Sequence, residues 1–356
     1  MNIRSYFGWS EDPRTYSKDC DLVLPSCLVG VEVELENAAD VIVPPFWTVV
    51  PDGSLRDNGV EFIFTNPLFG SDVEAALNNL HEACLPFKDS LALTYRTSVH
   101  VHVNVRDMDF SQLYHMTVLY TILERVLFKY AGEHRANNFY CMPFYRADMH
   151  MMDLSSLLNG QYQEAVGHMN KYSAFNLTSV GDKGSVEFRH MAGTWDKDKI
   201  HKWINILLSI KKYAVENECN PDALMFTVSA KGPEQFLESI FREDLLKELT
   251  YRGISDDIML GVRLAQDIIF GMEAFNTSKE TRRTLDSSDE EIKKFVLMND
   301  GEVVAKPVEL KDLYAIPYEV HNVEIVHFNQ AEVDNARRIL DERMQEMLNR
   351  MNVGEN

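Results

Sequence analysis

The residues of this chain best suited to chemistry lie in three short segments: Gly30-Val-Glu-Val-Glu-Leu-Glu36, Ser98-Val-His-Val-His-Val-Asn104 and Gly184-Ser-Val-Glu-Phe-Arg189. In each, polar residues recur at every second position. A strand has period two, so Glu32, Glu34 and Glu36 share one face of the first segment, and His100, His102 and Asn104 one face of the second. Glu187 and Arg189 share a face of the third. Carboxylates two residues apart, about 6.6 Å between Cα atoms, can hold one hard divalent cation or two neighbouring ones. An imidazole among oxygen ligands suits magnesium or manganese better than a structural zinc site, which would prefer cysteine. Arginine beside such a centre offers phosphate oxygens a planar fork.

Each segment also has an inert reading. Acidic residues decorate exposed edge strands, histidines sit on wet sheet faces, and a Glu-x-Arg pair forms a cross-strand salt bridge. The functional reading rests on their company. Glu61 follows a glycine in a further strand-like run, Val60–Thr65, and if the strands are neighbours in one sheet their polar faces converge.

The elements that must position these residues can be traced by periodicity. Strands are expected over Cys27–Glu36, Phe46–Val50 and Val60–Thr65, with turns at Pro51-Asp-Gly-Ser and Asp57-Asn-Gly. Ser71-Asp-Val-Glu74 fits a capping box, and Val73, Ala76, Leu77, Leu80 and Cys84 predict a helix over 72–84. Leu113, Met116, Tyr120, Leu123 and Leu127 mark a buried helix after the histidine strand. Tyr172–Leu177 and Val186–His190 read as a strand pair joined by Gly181-Asp-Lys-Gly184, and Ile200, Trp203, Leu207 and Ile210 mark a third helix. The fold class is α+β: a curved, mostly antiparallel sheet carrying the site on its concave face, with helices packed behind it.

The chain divides into a loose lead-in over 1–25, a catalytic domain over 26–275, an exposed connection over 276–311 and a C-terminal segment over 312–356. Thr277–Lys294 is dense in charge and hydroxyl groups. Val333, Ala336, Leu340, Met344, Met347 and Met351 then give an amphipathic helix that docks on its own domain or, more sharply, self-associates.

With 356 residues and 45% hydrophobic content, the chain can bury a substantial core. A formal charge of −20 argues against general nucleic-acid binding, which needs clustered Lys and Arg. Five cysteines without CxxC pairing point to a reducing compartment, and neither a signal peptide nor a run of about 18 apolar residues is present, so a cytoplasmic protein without a membrane partner is expected. There is no Walker loop, no GxGxxG and no Gly-x-Ser-x-Gly elbow. Arg135, which ends a buried helix in Glu133-His-Arg135, is the best of the remaining basic candidates, ahead of Arg96, Arg146 and Lys171.

The order of the motifs, GVEVELE, DGSL followed by GVEF, SVHVHVN, then YSAFNL followed by GSVEFRHMAGT, resembles the amidoligase family of carboxylate-amine ligases. That family occurs in bacteria, phages and fungi and is related to glutamine synthetase and glutamate-cysteine ligase. The resemblance covers about 28–196. It implies a glutamine-synthetase-like catalytic domain that binds ATP and two magnesium or manganese ions, in the cytoplasm of the cell or of a phage host. It also implies roles. Glu32, Glu34, Glu61, His100 and Glu187 would hold the metals. Arg189 would bind the transferred phosphate, and His102 would face the nucleotide phosphates, with Asn104, Arg135 and Ser54 as further nucleotide-binding candidates. Asp52 and Ser54 would stand at the mouth of the site, Asp52 as a catalytic candidate beside Glu61 and Arg189. The implied reaction phosphorylates a carboxylate of a small molecule or peptide, and an amine then displaces phosphate to form an amide.

This chain departs from glutamine synthetase in having only about 30 residues before the Glu-x-Glu strand, so the residues that would receive ammonia are not matched and the amine is left open. Two other readings use the same residues: a metal-dependent hydrolase that activates water, and a non-catalytic binding or assembly protein.

Overall fold

The computed structural model describes residues 1–144, 154–167, 169–218 and 220–266, and beyond them three strand segments between 295 and 325. The chain falls into two compact units, Met1–Met272 and Glu273–Asn356. The described part of the second unit is a three-stranded antiparallel sheet, Phe295–Asn299 paired with Glu302–Val303 and with Asn322–Ile325. Its first two strands fall within the stretch 276–311 expected as an exposed connection, and the amphipathic helix expected over 333–351 lies outside the described residues.

The first unit is built on six strands: β1 (Val29–Leu35), β2 (Trp47–Val50), β3 (Val60–Phe64), β4 (Ser98–Asn104), β5 (Phe175–Asn176) and β6 (Ser185–Ala192). They form one open sheet in the order β2-β3-β1-β4-β6-β5, and every neighbouring pair is antiparallel. Alternation decides the faces. Val29, Val31, Val33 and Leu35 of β1, and Val99, Val101 and Val103 of β4, are fully or almost fully buried and join a single apolar core.

The helices run in chain order as α1 (Ile3–Phe7), α2 (Ser71–Cys84), α3 (Phe110–Ala131), α4 (Tyr162–Val166), α5 (Ser179–Lys183), α6 (Lys197–Glu216), α7 (Pro221–Lys231), α8 (Pro233–Ile240) and α9 (Glu243–Leu249). Three of them make the layer behind the sheet: α3 packs on β6 and α6, and α6 packs on α2 and β4. α3 starts at a capping box between Asp109 and Gln112. Its Tyr120 stacks on Phe175 of β5 at 4.1 Å between ring centroids and meets Phe188 of β6 edge-on.

Three local expectations give way to packing. Ser71 is the first helical residue and Gly70, which has no side chain to offer, is the cap; Glu74 accepts a hydrogen bond from the Asp21 N–H at 2.6 Å and closes no box. The strand expected over Tyr172–Leu177 is cut to Phe175–Asn176, and its link to β6 is the short helix α5. The N-terminal residues, expected as a loose lead-in, are docked: Ile3 is fully buried, Ile3 N–H donates to Met108 O at 2.9 Å, and Tyr6 and Phe7 meet Phe110 and Tyr162 edge-on. Their aromatic content supplies apolar surface that a solvated arm would leave in water.

β6 carries one extra residue. Val101 pairs with Phe188, but Val99 pairs with Met191, so two steps on β4 are matched by three on β6. Arg189 keeps the face of Glu187 and His190 turns into the core between Phe128 and Trp203, while the extra residue brings the buried Met191 into register with Val99.

Candidate active site

The antiparallel register sets the polar residues side by side. Glu34 is opposite Glu61, Glu32 opposite His100, His102 opposite Glu187, and Glu187 opposite Asn176. All of the metal-ligand candidates therefore meet in one cluster on the face away from the helices. His100 is at its centre. Its Nδ1 is 3.0 Å from Glu32 Oε2 and 3.6 Å from Glu187 Oε1, while its Nε2 is 2.8 Å from Ser98 Oγ and 3.9 Å from Glu34 Oε1. His102 Nε2 is 3.0 Å from the other oxygen of Glu32, and its Nδ1 is 3.1 Å from Ser185 Oγ. Gly30 is opposite His102, and a Cβ there would lie 3.2 Å from the His102 Cβ, so the glycine leaves room for this ring.

The supporting bonds fix each carboxylate. Ser98 Oγ donates to Glu34 Oε2, and Asn176 Nδ2 donates to Glu187 Oε2 at 2.8 Å. The other oxygen of Glu187 is paired with Arg189, whose Nε donates to Tyr140 O at 3.1 Å. Lys183, at the end of α5, reaches Glu32 Oε1 at 3.3 Å.

Charge is distributed unevenly. Burial opposes ionisation of Glu32, yet hydrogen bonds from His100 and His102 hold its carboxyl far below the usual range. Glu187 is also lowered, since Arg189 and the two histidines outweigh its burial. Glu61 goes the other way, pushed up to about 8 first by burial and then by the negative charges of Glu32, Glu34 and Asp52. Like charges crowd here without enough cations to match them.

Two triads have ligand atoms close enough to hold an ion: Glu32, His100 and Glu187, and Glu34, Glu61 and His100, the atoms of each lying within 4.8 Å of one another. The donors are hard oxygens with one imidazole and no thiol. That set, with the negative charges that crowd around Glu61, fits a hard divalent cation such as magnesium or manganese. The triads use opposite edges of one ring, so each draws on a different nitrogen of His100.

Two clefts adjoin the cluster. One, of about 410 Å³, takes in Glu32, His102, Asn104, Arg14, Arg106 and Lys183, with apolar walls from Leu28, Ile63, Phe64 and Pro67. The other, of about 390 Å³, is lined by polar groups, among them Glu34, Asp52, Ser54, Arg96, Lys171 and Arg189. Lys183 borders both.

A family model described as "Putative amidoligase enzyme" matches residues 28–211, just over half of the chain. The chain belongs to this amidoligase family. The matched span contains all six strands of the sheet and every residue of the two triads; the N-terminal arm and everything after α6 fall outside it. A comparison with curated proteins gave no match.

Of the other sequence candidates, Asp52 and Ser54 line the polar cleft, Asn104 lines the first, and Arg189 is beside the amidoligase cluster through Glu187. Arg135 is not brought to it. Its guanidinium is buried and donates to the carbonyls of Arg189, His190 and Tyr95 at 3.1 to 3.5 Å, securing the bulge of β6 from behind. Ser98, Asn176, Lys183 and Ser185 were not among the candidates. Ser98 had a readable signal, being two positions before His100 on the same strand. Lys183 and Asn176 gave none, since their approach depends on how α5 and β5 close over β6.

Proposed function

We propose that this amidoligase is an ATP-dependent carboxylate-amine ligase of glutamine-synthetase-like architecture, working through an acyl phosphate at a two-metal centre. The observation that carries the reading is the pair of ligand triads sharing His100, set between two clefts of different character. The cleft with apolar walls and cations suits a nucleotide, whose base is apolar and whose tail is anionic. The polar cleft suits a carboxylate and an amine.

When bound, divalent ions would polarise the phosphate oxygens and neutralise charge as the phosphoryl group moves. Glu32, which lines the nucleotide cleft, and Glu187, which lines the polar one beside Glu34, are ionised well below neutral pH and would be ready ligands, with Glu61 completing the second triad. Arg189, at the polar cleft, would hold the carboxylate whose oxygen attacks the γ-phosphorus as the bond to ADP breaks. An amine nitrogen then attacks the acyl carbon, phosphate leaves with the electron pair of the C–O bond, and the surplus proton of the amine passes to a carboxylate. Asp52, in the polar cleft and close enough to raise Glu61, is suited to take it. The chain's own contribution is alignment and charge, which is what phosphoryl transfer demands.

The test is phosphate release from ATP by purified protein supplied with magnesium and a panel of amino acids and peptides. Release should require both a carboxylate and an amine, and Glu34→Ala and Arg189→Ala should abolish it. Turnover of an amide substrate without ATP would replace this reading with metal-dependent hydrolysis.

A further inference from the structure

The N-terminal arm adds a wall to the first cleft and holds one arginine in a fixed pose there. Arg106, just after β4, lies over the Trp9 ring with its guanidinium carbon 4.7 Å from the ring centroid, and its Nη2 donates to Lys183 O at 2.7 Å. Its third constraint is Gly184. That residue has φ +69°, and a Cβ built on it would lie 2.1 Å from Arg106 Nε, so the guanidinium occupies the space a side chain would fill. Trp9 in turn stacks on Phe7 at 4.7 Å, which ties the arm to the body of the unit through Tyr162.

The other cations of this cleft are committed. Arg14 forms a fork with both oxygens of Asp12, at 2.6 to 3.1 Å, and Lys183 reaches Glu32. Arg106 forms no salt bridge among the described residues, though the Asp12 carboxylate held by Arg14 lies near enough to feel its charge, and its buried Nε has no hydrogen-bond partner. In a chain with 20 more negative than positive charges, an arginine clamped in place and without a salt bridge of its own is suited to an anion that arrives from outside.

We infer that Arg106, held by Trp9 and Gly184, binds the polyphosphate of a nucleoside triphosphate in the first cleft, and that the N-terminal arm is thereby part of the nucleotide site. The inference rests on the ligase reading above. It concerns residues on both sides of the boundary at residue 28: Arg106 lies inside the family match, while Trp9 lies outside it. Trp9 acts through the arginine and is a positioning residue. It fixes the guanidinium by a face contact, sparing the entropy of ordering a long side chain on binding.

The experiment titrates full-length protein, with magnesium present, by calorimetry against ATP, inorganic tripolyphosphate and adenosine. Arg106→Gln should weaken ATP and tripolyphosphate alike, roughly 10- to 100-fold, the size expected for charge-assisted hydrogen bonds, and leave adenosine unchanged. Trp9→Ala should weaken both polyphosphates by a smaller factor, and Trp9→Phe, which keeps a ring face, should recover most of the loss. Manganese affinity measured on the same variants reports whether the cluster is intact, so a misfolded variant is recognised and the milder Arg106→Lys, which keeps charge but not the fork, takes its place. Wild-type binding of ATP that Arg106→Gln and Arg106→Lys leave unmoved overturns this inference alone. Failure of the wild type to bind ATP overturns the ligase reading and this inference with it.

Discussion

Metal binding to this protein should release a proton, and Glu61 should be its source. In the metal-free cluster burial and the charges of Glu32, Glu34 and Asp52 raise Glu61 to about 8, so at pH 7 most molecules carry it protonated. A divalent ion needs the carboxylate form, and each ion bound there displaces that proton. With one group titrating near pH 8, apparent magnesium affinity should rise about tenfold between pH 7 and pH 9 and level off above. Calorimetry in buffers of different ionisation enthalpy counts the protons directly: close to one per ion at pH 7, and few by pH 9. Glu61→Gln should bind more weakly at high pH and lose the slope. The sign for stability follows. A folded-state pKa above the usual 4.5 means that the contribution of Glu61 to stability is present below about 4.5 and lost as pH rises through about 8. Metal-free protein should therefore melt at a lower temperature at pH 8.5 than at pH 6, and magnesium should remove most of the difference. A flat affinity between pH 7 and pH 9, or a slope that survives Glu61→Gln, refutes the assignment of the proton to this residue.

Two further outcomes test the supports of the site and of the core. Ser98→Ala removes the hydroxyl that donates to Glu34 and meets His100 Nε2, and should weaken manganese binding by about tenfold with little change in the urea midpoint. Lys211 Nζ donates to Asp107 Oδ1 at 2.7 Å, and the two should respond unequally: the lysine side chain is 2% exposed and the aspartate 50%, so Asp107→Ala leaves a buried charge without its counter-ion and should cost about 3 kcal/mol or more, whereas Lys211→Met leaves a carboxylate that water can reach and should cost clearly less by urea denaturation.

The cluster was readable because its residues alternate on strands, and alternation is the most reliable local signal a sequence carries. Glu32 and Glu34 can be put on one face of their strand, and His100 and His102 on one face of theirs, without knowing their neighbours; the valines between them needed a core and the sheet supplied it. What alternation cannot give is adjacency. That Glu34 faces Glu61, and Glu187 faces His102, depends on strand order, to which the order of motifs gave a family but no register. Arg135 shows the limit of reading a charged residue by its proximity in sequence to a motif: the helix that ends there lies behind the sheet, and its guanidinium meets backbone carbonyls. The bulge at His190 left no mark in composition. The N-terminal arm reads as loose because its charges and Pro13 mask the aromatic anchors Tyr6 and Phe7, whose partners Phe110 and Tyr162 lie more than 100 residues away.

The ladder that aligns Glu32 with His100 and His102 with Glu187 also governs how such a centre can drift in evolution. Ligands here form rows running across the strands, each about 5 Å from the next. A carboxylate lost from Glu32 could be replaced by one gained at Ile63, its registered partner on β3, a move of one strand spacing in space and of tens of residues along the chain. Two descendants could keep the same centre while sharing none of its ligand positions, and only a comparison made row by row across the sheet would recognise them as kin.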